Sequence, residues 1–143
     1  MLQVIKIDNS PNLNDLLEAN RIARHHFGVD AWKWPIIEKV HAAYPGAFGV
    51  VKLDDRVVGH FDLIPLNEAS IALLRANLAN EVTLANLCLP THLHHEVAGL
   101  YWTGLAVDAT IIGIAKAATA ALLWGLAERV KQTWLSKSSM PIY

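Results

Sequence analysis

The sequence predicts an α+β sandwich, a mixed and mostly antiparallel sheet with helices on both faces, and three observations predict it. Two apolar runs, Ala47-Phe-Gly-Val-Val-Lys-Leu53 and Arg56-Val-Val-Gly-His-Phe-Asp-Leu-Ile64, flank Asp54-Asp55, as the arms of a tight hairpin do. Gly99-Leu-Tyr-Trp-Thr-Gly-Leu-Ala-Val107 reads as a second long strand and passes through a short turn into an extended apolar segment. In that segment Ile114, Ala118, Leu122, Leu126 and Val130 recur every four residues, the stripe of a helix laid on a sheet.

The remaining elements follow in chain order. Leu2-Gln-Val-Ile-Lys-Ile7 is rich in β-branched residues and is broken by Asp8-Asn-Ser-Pro-Asn12, so a short first strand is expected. Leu13, Leu16, Leu17, Ile22 and Ala23 recur at helical spacing up to Phe27, with Asn12 or Ser10 as the cap. Gly28-Val-Asp30 separates this helix from a second over Trp32 to Tyr44, which Pro45-Gly46 stops. Pro65 ends the hairpin because it cannot donate to a ladder. Ile71, Leu74 and Leu78 then give a helical pattern from Asn67 to Ala79. The stretch from Glu81 to Glu96 has no clear period. The tail Ser136 to Tyr143 reads as the start of another strand.

With 143 residues the chain is read as one domain, residues 1–143, large enough to bury a substantial core. Lys and Arg number 12 against 13 Asp and Glu, a net charge of -1, which supplies no general attraction to nucleic acid or to an anionic membrane. Charged residues are only 17% of the sequence, below the usual fraction of about 25%, so apolar surface is expected to meet a partner. The bare outer edge of the 99–107 strand makes that partner a second copy, and a homo-oligomer, a dimer, is expected. Cys88 is the single cysteine; it forms no internal disulfide and reads as a small buried hydrophobe. No basic and apolar leader opens the chain, and Ile111 to Ala127 is too short for a membrane span and contains Lys116, so the cytoplasm is the expected location.

Function is sought first where the strand ending at Val107 turns into the helix. A helix start carries free backbone N–H groups and a partial positive charge, which suit a phosphate. Gly113 lets the backbone approach such an anion, and small Ala115 avoids a clash. An ordinary strand-to-helix connection has the same residues, and neither the Rossmann nor the P-loop fingerprint is matched.

The order of strand, two helices, hairpin, long strand, glycine turn and helix resembles the first two-thirds of the GNAT superfamily of acyl-CoA-dependent N-acyltransferases. Leu105-Ala-Val-Asp-Ala-Thr-Ile-Ile-Gly-Ile-Ala-Lys-Ala-Ala118 is similar to that family's (Arg/Gln)-x-x-Gly-x-(Gly/Ala) signature. Thr110 stands at the Arg/Gln place, Gly113 at the central glycine and Ala115 at the Gly/Ala place, while Ala109 replaces the expected proline. The resemblance implies acetyl-CoA or another acyl-CoA as co-substrate, held by Leu105, Ala106, Val107, Thr110, Ile112, Gly113, Ile114, Ala115 and Lys116. It implies direct transfer of the acyl group to a primary amine of a small molecule or peptide. The fifth strand, its helix with a tyrosine general acid, and a last hairpin have no counterpart here. The domain is therefore expected to be C-terminally short, to be completed by a second copy, or to belong to a longer chain. A non-catalytic ligand-sensing or protein-interaction module on the same scaffold is the alternative.

Acyl transfer needs a polarised carbonyl, an amine freed of its proton and a proton for the leaving thiolate. Glu96, His94 and His95 precede the long strand and are candidate bases, and Tyr101 or Trp102 is a candidate for the acceptor pocket, the other entering the core. Trp32, Trp34 and Tyr44 form either a rim over that pocket or plain helix packing. His92, His94 and His95 lack a carboxylate or cysteine at zinc-site spacing, so no metal is expected.

Overall fold

The computed structural model describes residues 4–111 and 113–135. Its sheet has four strands in the order β1 (Ile5–Asp8), β2 (Phe48–Leu53), β3 (Arg56–Leu66) and β4 (Gly99–Val107). The sequence allowed a mixed sheet, yet all three pairings among the described residues are antiparallel. The hairpin turn lies where it was read, with Asp54 and Asp55 both at positive φ, 48° and 67°. Aspartate tolerates this left-handed region better than most residues, and two such residues in succession match the twist of the strands.

Helix α1 (Leu13–Phe27) begins at Asn12, whose side chain accepts from the Asp15 amide at 2.9 Å while the Asp15 carboxylate accepts from the Asn12 amide at 3.2 Å. This reciprocal box satisfies two of the orphan donors of a helix start. Helix α2 (Trp34–Ala43) starts two residues later than read, because Lys33 is extended and Pro35 sits in the first turn. Trp32 therefore lies on the connecting loop. Helix α3 (Glu68–Arg75) is shorter than the predicted 67–79, since the chain turns left-handed at Asn77 with φ 59°. The unassigned 81–96 stretch contains helix α4 (Glu81–Leu87) and a 3-10 segment, Thr91–Glu96. Helix α5 (Ala115–Leu135) runs past the predicted end at Val130. Leu2, Gln3 and the proposed strand in the tail lie outside the described residues.

The period-two alternation divides the sheet between two cores. Phe48, Val50, Ile64 and Leu66 face α1, α2, α3 and α4, meeting Leu16, Ile37, Val40, Ile71 and Leu84. Val51, Val58, Phe61 and Leu63 face the other way and meet Ile114, Ala118 and Leu122 of α5. Phe61 is fully buried, a burial that contributes about 1.5–3 kcal/mol. Gly125 brings α5 close to the sheet: a Cβ there would lie 2.4 Å from Ile7. Helices thus cover both faces, as expected. None among the described residues is long and apolar enough to cross a membrane.

One irregularity shapes the site. Asp62 pairs with Gly104 and Leu63 with Trp102, so Thr103 is an extra residue in β4. A bulge of this kind turns two successive residues to the same side. Thr103 and Gly104 both border the α1 face, where Asp62 and His60 also lie.

Candidate functional site

A cavity of about 260 Å³ opens between α1 and the sheet. Its apolar wall comes from Leu16, Ala19, Ala23 and Phe27 of α1, with Ile37 and Phe48 opposite. The loop after α1 adds Asp30, Ala31 and Trp32. Asn20 holds that loop against α1, its side-chain amide donating to the Trp32 carbonyl at 2.8 Å. The floor is polar: His60 and Asp62 from β3, Thr103 and Gly104 from β4.

His60 is 5% exposed. Its Nδ1 is 3.3 Å from Asp62 Oδ1, and its Nε2 is buried without a protein partner. Thr103 Oγ1 donates to the other oxygen, Asp62 Oδ2, at 3.4 Å. An ionised Asp62 accepts a hydrogen bond from Nδ1–H, and in the neutral ring this leaves Nε2 as the acceptor. A buried imidazole nitrogen with no donor is costly unless a ligand or water fills the place. Gly104 has room beside this floor: a Cβ there would meet Asp62 Oδ2 at 3.7 Å and Phe27 at 4.0 Å, ordinary contacts.

A second hollow, a groove of about 370 Å³, lies between the end of α1, β4 and the start of α5. His26, Phe27, Leu105, Ala106, Val107 and Ala115 are among its lining residues. Phe27 lines both hollows, and Gly104 of the cavity is followed directly by Leu105 of the groove. His26 Nε2 donates to the Val107 carbonyl at 2.5 Å.

The turn after β4 is anchored by Asp108, whose amide donates to the Val58 carbonyl at 2.7 Å. Asp108 Oδ1 accepts from the Thr110 hydroxyl at 2.6 Å and from its amide at 2.9 Å. Oδ2 faces Arg21 at 3.3 Å and Arg56 at 3.7 Å. The Thr110 hydroxyl first, then its amide and Arg21, hold the Asp108 carboxyl below its ordinary value against the opposing effect of burial. Thr110 is exposed, but both its donors are thus taken by Asp108. Gly113 is exposed at φ 84°, and a Cβ placed on it would meet nothing within 4 Å. The Ala118 amide makes a helical bond to the Ile114 carbonyl at 2.8 Å. Helix geometry leaves the amides of Ala115, Lys116 and Ala117 without intrahelical acceptors. The Ile114 side chain is buried in the core. Ile112 lies outside the described residues.

The candidate bases and the aromatic pair of β4 are placed apart from the cavity lining. His94 Nδ1 is 2.9 Å from the Tyr44 hydroxyl, with the two rings stacked. Glu96 ends the same 3-10 segment and is exposed. Tyr101 packs with the core facing α2 and α4. Trp102 is on the opposite face, its indole donating to the Gly104 carbonyl at 3.0 Å. Of the aromatic trio, Trp32 lines the cavity, whereas Trp34 and Tyr44 pack against the core. No three His, Cys, Asp or Glu side chains gather as metal ligands among the described residues. Sequence reading missed His60 and Asp62; their spacing of two within a strand was the signal, since it places both on one face.

No family model matches the sequence, and no curated protein matches it. Solved structures do. A GNAT-like decarboxylase, GphF, in complex with isobutyryl-CoA aligns with TM-score 0.59 and 18% identity, over 87% of this chain and 57% of that one. The loading GNATL domain of CurA from Lyngbya majuscula aligns with TM-score 0.54 and 10% identity, over 90% and 58%. A ribosomal-protein-alanine N-acetyltransferase from Brucella melitensis biovar Abortus 2308 gives TM-score 0.51 and 14% identity, over 99% and 79%. The chain therefore spans less than two-thirds of the length of the first two.

Proposed function

From the premise that this chain has the GNAT fold, we propose that it binds an acyl-CoA and passes the acyl group to a primary amine by direct attack. The observation that carries the proposal is the meeting of the two hollows at Phe27 and at the Gly104–Leu105 step of β4. One hollow offers backbone and small side chains to a thioester chain, and the other offers an enclosed place for the acceptor. On this reading the backbone of Leu105, Ala106 and Val107 pairs with the pantetheine, which displaces His26 from the Val107 carbonyl. The amides of Gly113, Ala115 and Lys116 receive the pyrophosphate, where unpaired N–H groups and the helix dipole favour negative charge. Ile114 contributes backbone only, and Thr110 contributes by fixing the turn through Asp108. A β4 amide directed at the thioester oxygen stabilises the charge that develops there.

Calorimetry with acetyl-CoA tests this reading. The wild type should bind, and Gly113→Trp should abolish binding, with thermal melting as the folding control. Thr119→Trp fills the groove from α5, of which Thr119 is a lining residue, without placing a side chain at positive φ. Unchanged binding in both variants would put the ligand elsewhere. Amine-independent breakdown of a carboxylated acyl-CoA would replace acyl transfer by decarboxylation, the activity named for GphF.

A further inference from the structure

We propose that His60 is the base that takes the proton from the acceptor, positioned by Asp62, and that the cavity in front of it admits only a small primary amine with a compact apolar body. The inference rests on the acyl-transfer reading for its donor but on separate observations for its base and acceptor.

Three observations converge. The first is His60 itself, a lining residue of the cavity whose Nε2 is buried and has no protein partner while Asp62 engages Nδ1. The second is charge: among the described residues lining the cavity the acids are Asp30 and Asp62, and none is Lys or Arg. An ammonium ion is favoured there and a carboxylate is not. The third is size and polarity. About 260 Å³ is less than the roughly 300–1,000 Å³ of sites for drug-sized ligands. The wall facing the sheet is formed by α1 aliphatic side chains with Phe27 and Trp32, and Phe48 lies beside Asp62 in the sheet. A peptide chain or a polyhydroxylated amine has no place in it.

The step balances. The amine enters as an ammonium ion and gives one proton to His60 Nε2, leaving imidazolium beside the Asp62 carboxylate. The freed lone pair forms the C–N bond to the thioester carbonyl carbon, and the C–S bond breaks. A second proton passes from nitrogen to the departing sulfur, giving an amide and the CoA thiol; His60 returns its proton to solvent. Asp62 is a positioning residue. It fixes the tautomer that presents the Nε2 lone pair and stabilises the imidazolium. Thr103, supplied by the bulge, holds Asp62 in turn.

The experiment uses the full chain with acetyl-CoA and three acceptors: hexylamine, 2-phenylethylamine and a lysine-containing peptide. The two small amines should be acetylated and the peptide should not. His60→Gln should lower kcat by about 10²–10⁴-fold, with KM for hexylamine and the affinity for acetyl-CoA little changed. In His60→Ala, added imidazole should restore part of the rate. Asp62→Asn, which keeps the shape of the floor, should lower kcat less and change the nitrogen NMR pattern of the His60 ring toward the other tautomer. This variant decides the matter if His60→Gln folds poorly. Full turnover in His60→Gln, or faster acetylation of the peptide than of hexylamine, overturns the inference. Failure of the donor reading is seen separately. If the wild type ignores acetyl-CoA while hexylamine still shifts the His60 ring signals, the amine cavity survives and acyl-CoA falls. If hexylamine leaves those signals unmoved, the inference falls whatever acetyl-CoA does.

Discussion

The cavity under α1 has a floor of His60 and Asp62 beneath apolar side chains, whereas the groove between β4 and α5 is lined by His26, Phe27 and smaller residues such as Ala106, Ala109 and Ala115. They adjoin along one strand and share Phe27, yet each offers a different chemistry. The cavity supplies an imidazole and a carboxylate in a region shielded from water, where proton transfer is sensitive to geometry. The groove reaches the start of α5 at Ala115, and on the proposed reading the amides there hold an anion. Changes in the first should therefore appear in turnover and changes in the second in affinity, and variants that move the wrong observable break the division.

Among variants that keep His60 and Asp62, Gly104→Val offers the largest expected effect. The position is in the ladder opposite Asp62, where a β-branched residue suits a strand. Its side chain would enter the floor between Asp62 and Phe27. Turnover should fall about 10²-fold, the scale of a misplaced reacting group, while the melting temperature holds or rises. A wild-type rate in this variant would remove Gly104 from the junction of the two hollows.

Asp108→Asn sharpens the groove side. The carboxylate accepts two bonds from Thr110 and faces two arginines, so its loss should cost about 1.5–3 kcal/mol of stability, measured by urea unfolding. The sign of the pH effect follows from the lowered Asp108 value. Its contribution is present above the ordinary carboxylate range and is lost as pH falls below about 4 and through the folded value. The Asn variant should lack that acid-side loss; identical acid profiles would show that the turn does not depend on the charge. The smallest effect is predicted at Cys88, whose thiol is pushed up to about 12 by burial. Iodoacetamide at pH 8 should label it only on unfolding, and acetyl-CoA binding should be unaffected by prior treatment.

Much of the architecture was legible because local signals agreed. Asn12 and Asp15 mark the start of α1 by their own side chains, and Asp54-Asp55 marks a turn between two alternating arms. Residues 81–96 were not legible, since a seven-residue helix and a 3-10 segment are too short to establish a period. Gly113 and Ala115 mark the turn after β4 in the sequence by their missing side chains, and Ala115 lines the groove. The cavity bears no such mark. His60 and Asp62 sit in an alternating strand that reads as ordinary hairpin, and their meaning depends on β4 coming alongside from across residues 67–98 with its extra residue at Thr103. His94 and Glu96 were chosen for nearness along the chain to β4 and Tyr101 for its alternation within it, and none of the three lines the cavity.

Because Thr103 is surplus to the pairing, the alternation of β4 is already complete without it: Trp102 and Gly104 face opposite sides on either flank. Excising that one codon would straighten the ladder and leave every other side chain on its present face. A lineage with this scaffold can thus acquire or shed the hydroxyl beside Asp62 in a single insertion or deletion event, with the rest of the domain undisturbed.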